Sequence, residues 1–248
     1  MKIKVFLSLF LLLLLCSAVY AEQKQFGISK TEIADMIKQG VSPSELIKAI
    51  QKGNDKLAYD IIERKSVDFR EQDEYGYTAL MWAILLDKTD IAMSIRNNSP
   101  ADSLNILNNK GFSALFLAVM HNNIEVVKDL VGDGWVAETN NSYDENGDNC
   151  LMFAIKNDYT EIAKTLIAVN GKFRVLLNRQ NKAGKTALIL AIEKEDVEIV
   201  DLLVNAKYPN EGGYRSNVNL VDNSDKTAYD YAIETGNEEI IAIVPKSR

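Results

Sequence analysis

An all-α solenoid of stacked helix-turn-helix pairs, joined by β-turn or hairpin finger loops, is the fold class that the sequence predicts. Three observations predict it. One phrase recurs: GYTALMWAI from Gly76, GFSALFLAV from Gly111, GDNCLMFAI from Gly147, GKTALILAI from Gly184 and, without its glycine, DKTAYDYAI from Asp225. The starts lie 35, 36, 37 and 41 residues apart, a period at which each repeat is one supersecondary unit that buries its apolar face against its neighbours. Every phrase is also followed, beyond a short polar turn, by a second apolar stripe of helical spacing. Solenoids of this kind work by presenting an extended surface to another macromolecule, so the class of function is set before any chemistry is considered.

Residues 1–21 read as a secretory signal peptide. Lys2 and Lys4 precede an apolar run from Val5 to Leu15, and Val19-Tyr20-Ala21 is a small-x-small cleavage site before Glu22. The run is shorter than the ~20 residues of a spanning helix, so no membrane insertion is expected after cleavage. A lipid anchor at Cys16 is the competing reading, but Leu15 stands where lipoprotein processing wants a small residue, and cleavage after Ala21 is expected. Residues 22–43 are expected to form an N-terminal capping segment, with a half-unit from Thr31 to Gln39 that is capped at Ser29 or Thr31 and stopped at Gly40.

Residues 44–248 then hold about six units, starting near 44, 76, 111, 147, 184 and 225. The first is degenerate: Ser44–Lys52 and Asp55–Lys65 pair around Gly53, with Ser42-Pro43 as the helix start. In the unit from Gly111, Leu115, Ala118 and Val119 give one stripe. His121-Asn122-Asn123 is the turn, and Ile124, Val126, Val127, Leu130 and Val131 give the next stripe. The turn carries a residue that tolerates left-handed backbone at Gly53, Asp87, Asn122, Asp158 and Gly236, with Glu195 the poor choice. The unit from Gly184 is lengthened by Tyr208–Asn217, which lacks apolar periodicity and is expected to be an excursion outside the stack. The last helix, Glu238–Val244, is stopped by Pro245.

The chain has a net charge of −7, and loss of Lys2 and Lys4 with the signal makes the mature form more acidic still. An acidic chain without a basic cluster argues against nucleic acid and against an anionic membrane surface. Cleavage also removes Cys16 and leaves Cys150 alone, so no internal disulfide can form. Cys150 takes the slot held by Ala79, Ala114, Ala187 and Ala228, which marks it as packing and not as a reactive thiol. The sole histidine, His121, lies in a helix-to-helix turn without triad partners. Asn170-Gly171-Lys172 and Gly212-Gly213 lack the spacing of a phosphate loop. Ser142, Asp144, Asn146 and Gly147 fit the opening of a calcium loop, but Phe153 replaces its bidentate acid, so neither a metal nor a cofactor is expected.

Asp73-Glu74-Tyr75-Gly76-Tyr77-Thr78-Ala79-Leu80, Ile124-Glu125-Val126-Val127-Lys128 and Val197-Glu198-Ile199-Val200-Asp201-Leu202-Leu203 resemble the ankyrin repeat. That family's pattern runs D-x-x-G-x-T-P-L-H-x-A-A, a turn, and then an E-I-V-K-L-L-L type helix. The resemblance covers roughly Ser44 to Val244. No unit keeps the proline and histidine of T-P-L-H: the proline slot holds Ala79, Ala114, Cys150, Ala187 and Ala228, and the histidine slot Met81, Phe116, Met152, Ile189 and Asp230.

The resemblance implies a partner protein held by finger tips and the inner face of each first helix. Carried onto this sequence, the partner-binding candidates are Tyr75, Tyr77, Leu85, Leu86, Lys110, Phe112, Met120, His121, Lys185 and Lys226. They imply a groove that is apolar at its N-terminal end and charged further on, unless the N-terminal segment folds over the apolar part. The expected protein is a non-catalytic, monomeric, exported binding module, periplasmic or secreted. Two other roles fit: an inhibitor or immunity protein that blocks an exported enzyme or toxin, and an accessory factor that docks to a periplasmic enzyme.

Overall fold

Two residues after each finger glycine stands a hydroxyl or amide side chain, and each of these caps a helix. The computed structural model describes residues 29–39, 44–64, 67–132, 142–168, 177–205 and 216–246. The expected signal peptide, residues 22–28 and most of the 208–217 insertion lie outside the described residues. The chain divides into two units, Met1–Val41 and Ser42–Arg248. The first contains α1 (Lys30–Gln39), whose start is capped by Ser29 accepting from the Glu32 amide at 3.1 Å.

The second unit is a row of helix pairs: α2 (Glu45–Gln51) with α3 (Asp55–Glu63), α4 (Ala79–Leu85) with α5 (Thr89–Asn98), α6 (Ala114–Met120) with α7 (Ile124–Gly132), α8 (Cys150–Lys156) with α9 (Thr160–Ala168), α10 (Ala187–Glu193) with α11 (Val197–Asn205), and α12 (Ala228–Thr235) with α13 (Glu238–Ile243). A short 3-10 turn, Ala101–Asn105, follows α5. No strand forms among the described residues. The fingers carry only isolated antiparallel bridges, Gln72 with Thr78 and Val221 with Thr227. This is an all-α repeat solenoid.

First helices of seven or eight residues are too short to be stable alone and depend on packing. Their starts are fixed by the side chains of Ser44, Thr78, Ser113, Asn149, Thr186 and Thr227, each accepting from the amide three residues on. Ser44, not Ser42, is thus the cap of the first pair. At Thr227 the reciprocal bond from Asp230 completes a capping box. The turns to the second helices use left-handed backbone at Gly53, Asp87, Asn122, Asp158, Glu195 and Gly236. Glu195 adopts φ 52 despite its Cβ, because the chain must reverse there to lay α11 beside α10.

The core runs between neighbouring pairs. Ile84, Val119, Ile155 and Ile192, each in the same slot of its first helix, are all buried, while the equivalent Ile233 of α12, against which no described repeat packs, is 50% exposed. Burying such a side chain stabilises by roughly 1.5–3 kcal/mol. From α4 on, each first helix has a small residue at its start and an alanine in its middle, all buried; the starting residue is alanine except in α8, where it is Cys150.

Candidate protein-binding surface

Three residues before each finger glycine is an Asp or Asn, and its Oδ1 accepts two backbone amides on either side of the glycine. Asp73 binds the amides of Tyr75 and Tyr77, Asn108 those of Lys110 and Phe112, Asp144 those of Asn146 and Asp148. Asn181 binds those of Ala183 and Lys185, and Asp222 those of Ser224 and Lys226, all at 2.8–3.0 Å. This pins the finger tip, with positive φ at Gly76, Gly111, Gly147, Gly184 and Asp225. It also explains Asp144, whose Oδ1 serves the finger's own amides.

Fingers are tied to one another as well. The Asn109 amide donates to the Tyr75 carbonyl, Lys182 to Asn146, and Asn223 to Ala183, at 2.9–3.1 Å. Side chains add to this: Asn109 Nδ2 donates to Glu74 O, Asn223 Nδ2 to Lys182 O, and Asn181 Nδ2 to Asp148 Oδ1. The Gly76 and Gly111 tips are thus braced together, as are the Gly147, Gly184 and Asp225 tips, and the side chains beside each glycine are displayed on these edges.

The structure corrects part of the expected groove. Tyr77, Leu85 and Met120 are buried and not groove-facing surface. Tyr77 packs 5.6 Å from the ring of Trp82, which is itself fully buried and donates its indole N–H to Asp73 Oδ2 at 2.7 Å. Every residue of α4 and α6 is buried, so the apolar side chains at that end of the row belong to the core. Tyr75, Leu86, Phe112 and His121 remain half-buried and Lys110 is exposed. Phe112 stacks on Phe116 with centroids 5.3 Å apart, and Phe116 meets Phe153 edge-on. His121 lies 4.0 Å from Asp87, and burial lowers its pKa against the opposing pull of that carboxylate, which keeps the ring neutral near pH 7.

Lys185 and Lys226, partner-binding candidates in the charged part of the groove, are each paired within their own repeat. The residue after the finger glycine pairs with the residue eight positions later, at the end of the first helix: Lys185 with Glu193, and Lys226 with Glu234 at 2.6 Å. One repeat earlier the signs are reversed, with Asp148 on the finger and Lys156 on the helix. Lys185 and Lys226 also stand 5.2 and 5.5 Å from the centroid of the Tyr231 ring, whose hydroxyl donates to Asp222 at 2.7 Å. The opposite charges eight residues apart were visible in the sequence; that the two positions meet was not. The same two slots hold Tyr77 with Leu85 and Phe112 with Met120 in the earlier repeats.

Cys150 is buried, and desolvation pushes its thiol up to about 12, so it carries no nucleophile at neutral pH. No cluster of metal-ligating side chains occurs among the described residues, and no helix among them is long and apolar enough to cross a membrane.

The sequence matches the family model described as Ankyrin repeats (3 copies) over residues 46–140, 95–175, 135–211 and 168–245. Alpha-latrotoxin-Lg1a of Latrodectus geometricus is 31% identical over 128 residues, 51% of this chain and 9% of the toxin. The chain spans about a tenth of the length of the curated relatives it matches. Among solved structures, the ankyrin repeat protein EF0377 superposes with a TM-score of 0.64 at 23% identity, covering 82% of this chain and 97% of that one. A chain of the complex between the Bd0816 predatory endopeptidase of Bdellovibrio bacteriovorus and the immunity protein Bd3460 superposes with a TM-score of 0.60 at 24% identity, covering 82% and 98%.

Proposed function

Because the chain belongs to the ankyrin-repeat family, whose repeats are protein–protein interaction modules, we propose that it is an exported, non-catalytic, monomeric protein that grips one protein partner along its finger row. The observation that carries this reading is the contrast within each finger. The backbone is held by the same Asp or Asn chelation in five repeats, while the side chains beside the glycine differ from repeat to repeat. A rigid edge with variable display lowers the ordering cost of binding. Export is supported by Lys2, Lys4, the run to Leu15 and the cleavage site at Ala21.

With Tyr77, Leu85 and Met120 in the core, the contact centres on Phe112, Tyr75, Leu86, His121 and Lys110. Aromatic anchors near the centre of an interface carry roughly 2 kcal/mol or more each. Capture from an envelope extract with the mature protein, followed by mass spectrometry, identifies the partner. Phe112→Ala with Tyr75→Ala should then weaken that partner's binding at least tenfold with little change in thermal midpoint. Unchanged binding would remove the finger row as the site, and a product retaining Cys16 as an acylated N-terminus in intact-mass analysis would remove the soluble export reading.

An inhibitory or immunity role is the second reading. Its support is the acidic charge, which would steer the protein to a basic partner surface, and the fold shared with a chain of the endopeptidase–immunity protein complex. Loss of the captured partner's enzymatic activity on addition of this protein, against co-purification without such loss, separates that role from an accessory one.

A further inference from the structure

The second helices carry a different pattern from the fingers. Lys164 of α9 reaches across to Glu198 of α11 at 2.7 Å, an ion pair that ties one repeat to the next. One repeat later, the same two slots hold Asp201 on α11 and Glu239 on α13. Both line a groove of about 720 Å³ between these two helices, with Val197, Ala242 and Ile243 giving apolar surface and Glu198 a third carboxylate. Among the described residues the Asp201 carboxylate accepts from one donor, the neutral Asn205 Nδ2 at 2.8 Å. Among the described residues no cation stands within ion-pair reach of Asp201 or Glu239.

The contrast with the finger side is sharp. There Asp148, Glu193 and Glu234 are each neutralised by a lysine of the same repeat. In the α11–α13 groove two exposed carboxylates occupy the slots where the preceding repeat has a lysine and a glutamate. A cation brought from outside would restore the arrangement that Lys164 supplies internally. The apolar groove residues select for a side chain with an apolar stem and apolar neighbours, which describes Lys or Arg on an amphipathic segment. Arg could bridge both carboxylates.

We infer that the α11–α13 groove is a second docking surface, which takes a basic amphipathic segment of a partner protein through Asp201 and Glu239. It lies on the second-helix side of the stack and does not depend on the finger row.

The test uses the mature chain and two synthetic amphipathic helical peptides, one of lysine and leucine and one with glutamate in place of lysine. Fluorescence anisotropy measures affinity and amide chemical shifts locate the contact. The lysine peptide should bind and shift amides in α11 and α13, the glutamate peptide should not bind, and Phe112→Ala should leave the affinity unchanged. Asp201→Lys should weaken binding at least tenfold without lowering the thermal midpoint, because it recreates the Lys164–Glu198 arrangement opposite Glu239. Glu239→Gln, which cannot clash, should weaken it at least threefold. Glu125→Lys, an equal charge change at an exposed position of α7, should cost less than twofold. Equal losses in Asp201→Lys and Glu125→Lys would mean diffuse attraction to an acidic protein, and shifts confined to the fingers would mean the wrong face. Either result overturns the proposal.

Discussion

Cys150 fills a slot that alanine fills in four sister repeats, and its burial makes the thiol a reporter of folding. Sealed in the core it keeps its proton up to about 12, whereas in the unfolded chain it ionises near the usual ~8.5. Between those values the folded state holds one proton more than the unfolded state, so stability is intact below about pH 8.5 and falls as pH rises, by up to ~1.4 kcal/mol per unit. Cys150→Ala should therefore differ from the parent by less than ~1 kcal/mol at pH 7 and show a shallower alkaline loss. Urea unfolding of both proteins at pH 7 and pH 10 checks this, and parallel alkaline losses would place the thiol in solvent. The packing role of Cys150 was legible in the sequence because the slot repeats. The burial of Tyr77, Leu85 and Met120 was not. The family pattern reserves those slots for surface, and only packing could reveal that this chain fills them with core.

At the level of the element, the finger is the unit where backbone and neighbour act together. Gly184 has φ +77, and a Cβ there would lie 2.6 Å from the amide nitrogen of Asn223 in the next finger. Gly111 has φ +82, yet a Cβ there meets no described atom within 4 Å. Both alanine variants incur the left-handed strain of ~1–2 kcal/mol, but only Gly184→Ala must also push away a braced backbone. Gly184→Ala should be the more destabilising by at least ~1 kcal/mol in chemical denaturation, and equal costs would show that the inter-finger bonds yield easily. The left-handed turns between helices were readable from Gly53, Asp87, Asn122, Asp158 and Gly236, since few residues tolerate that conformation. The Asp and Asn residues that chelate each finger looked in sequence like ordinary turn formers, because their work is done on amides that sequence does not display.

Along the row of helix pairs, stability accumulates from one repeat interface to the next, and the last described pair leaves one large apolar side chain uncovered. Ile192 lies under the final repeat while Ile233 is 50% exposed. Ile192→Ala should cost about 2–5 kcal/mol through the cavity it leaves, and Ile233→Ala less than ~1 kcal/mol; a large loss at Ile233 would mean that something covers it in solution. The repeat count and helix pairing were legible because periodicity is a sequence property. The pairing of finger and helix charges was not, because it joins two positions only after the finger folds back. That pairing changes how the surface can be interrogated. Lys185→Ala does more than delete a positive charge; it strips Glu193 of its partner, and the loss observed would mix any contact with a partner protein with the disturbance left behind in the free one. Reversing both members together, to Lys185→Glu with Glu193→Lys, copies the polarity already present at Asp148 and Lys156, so the repeat itself supplies the control by which a reader of the surface can be told from its furniture.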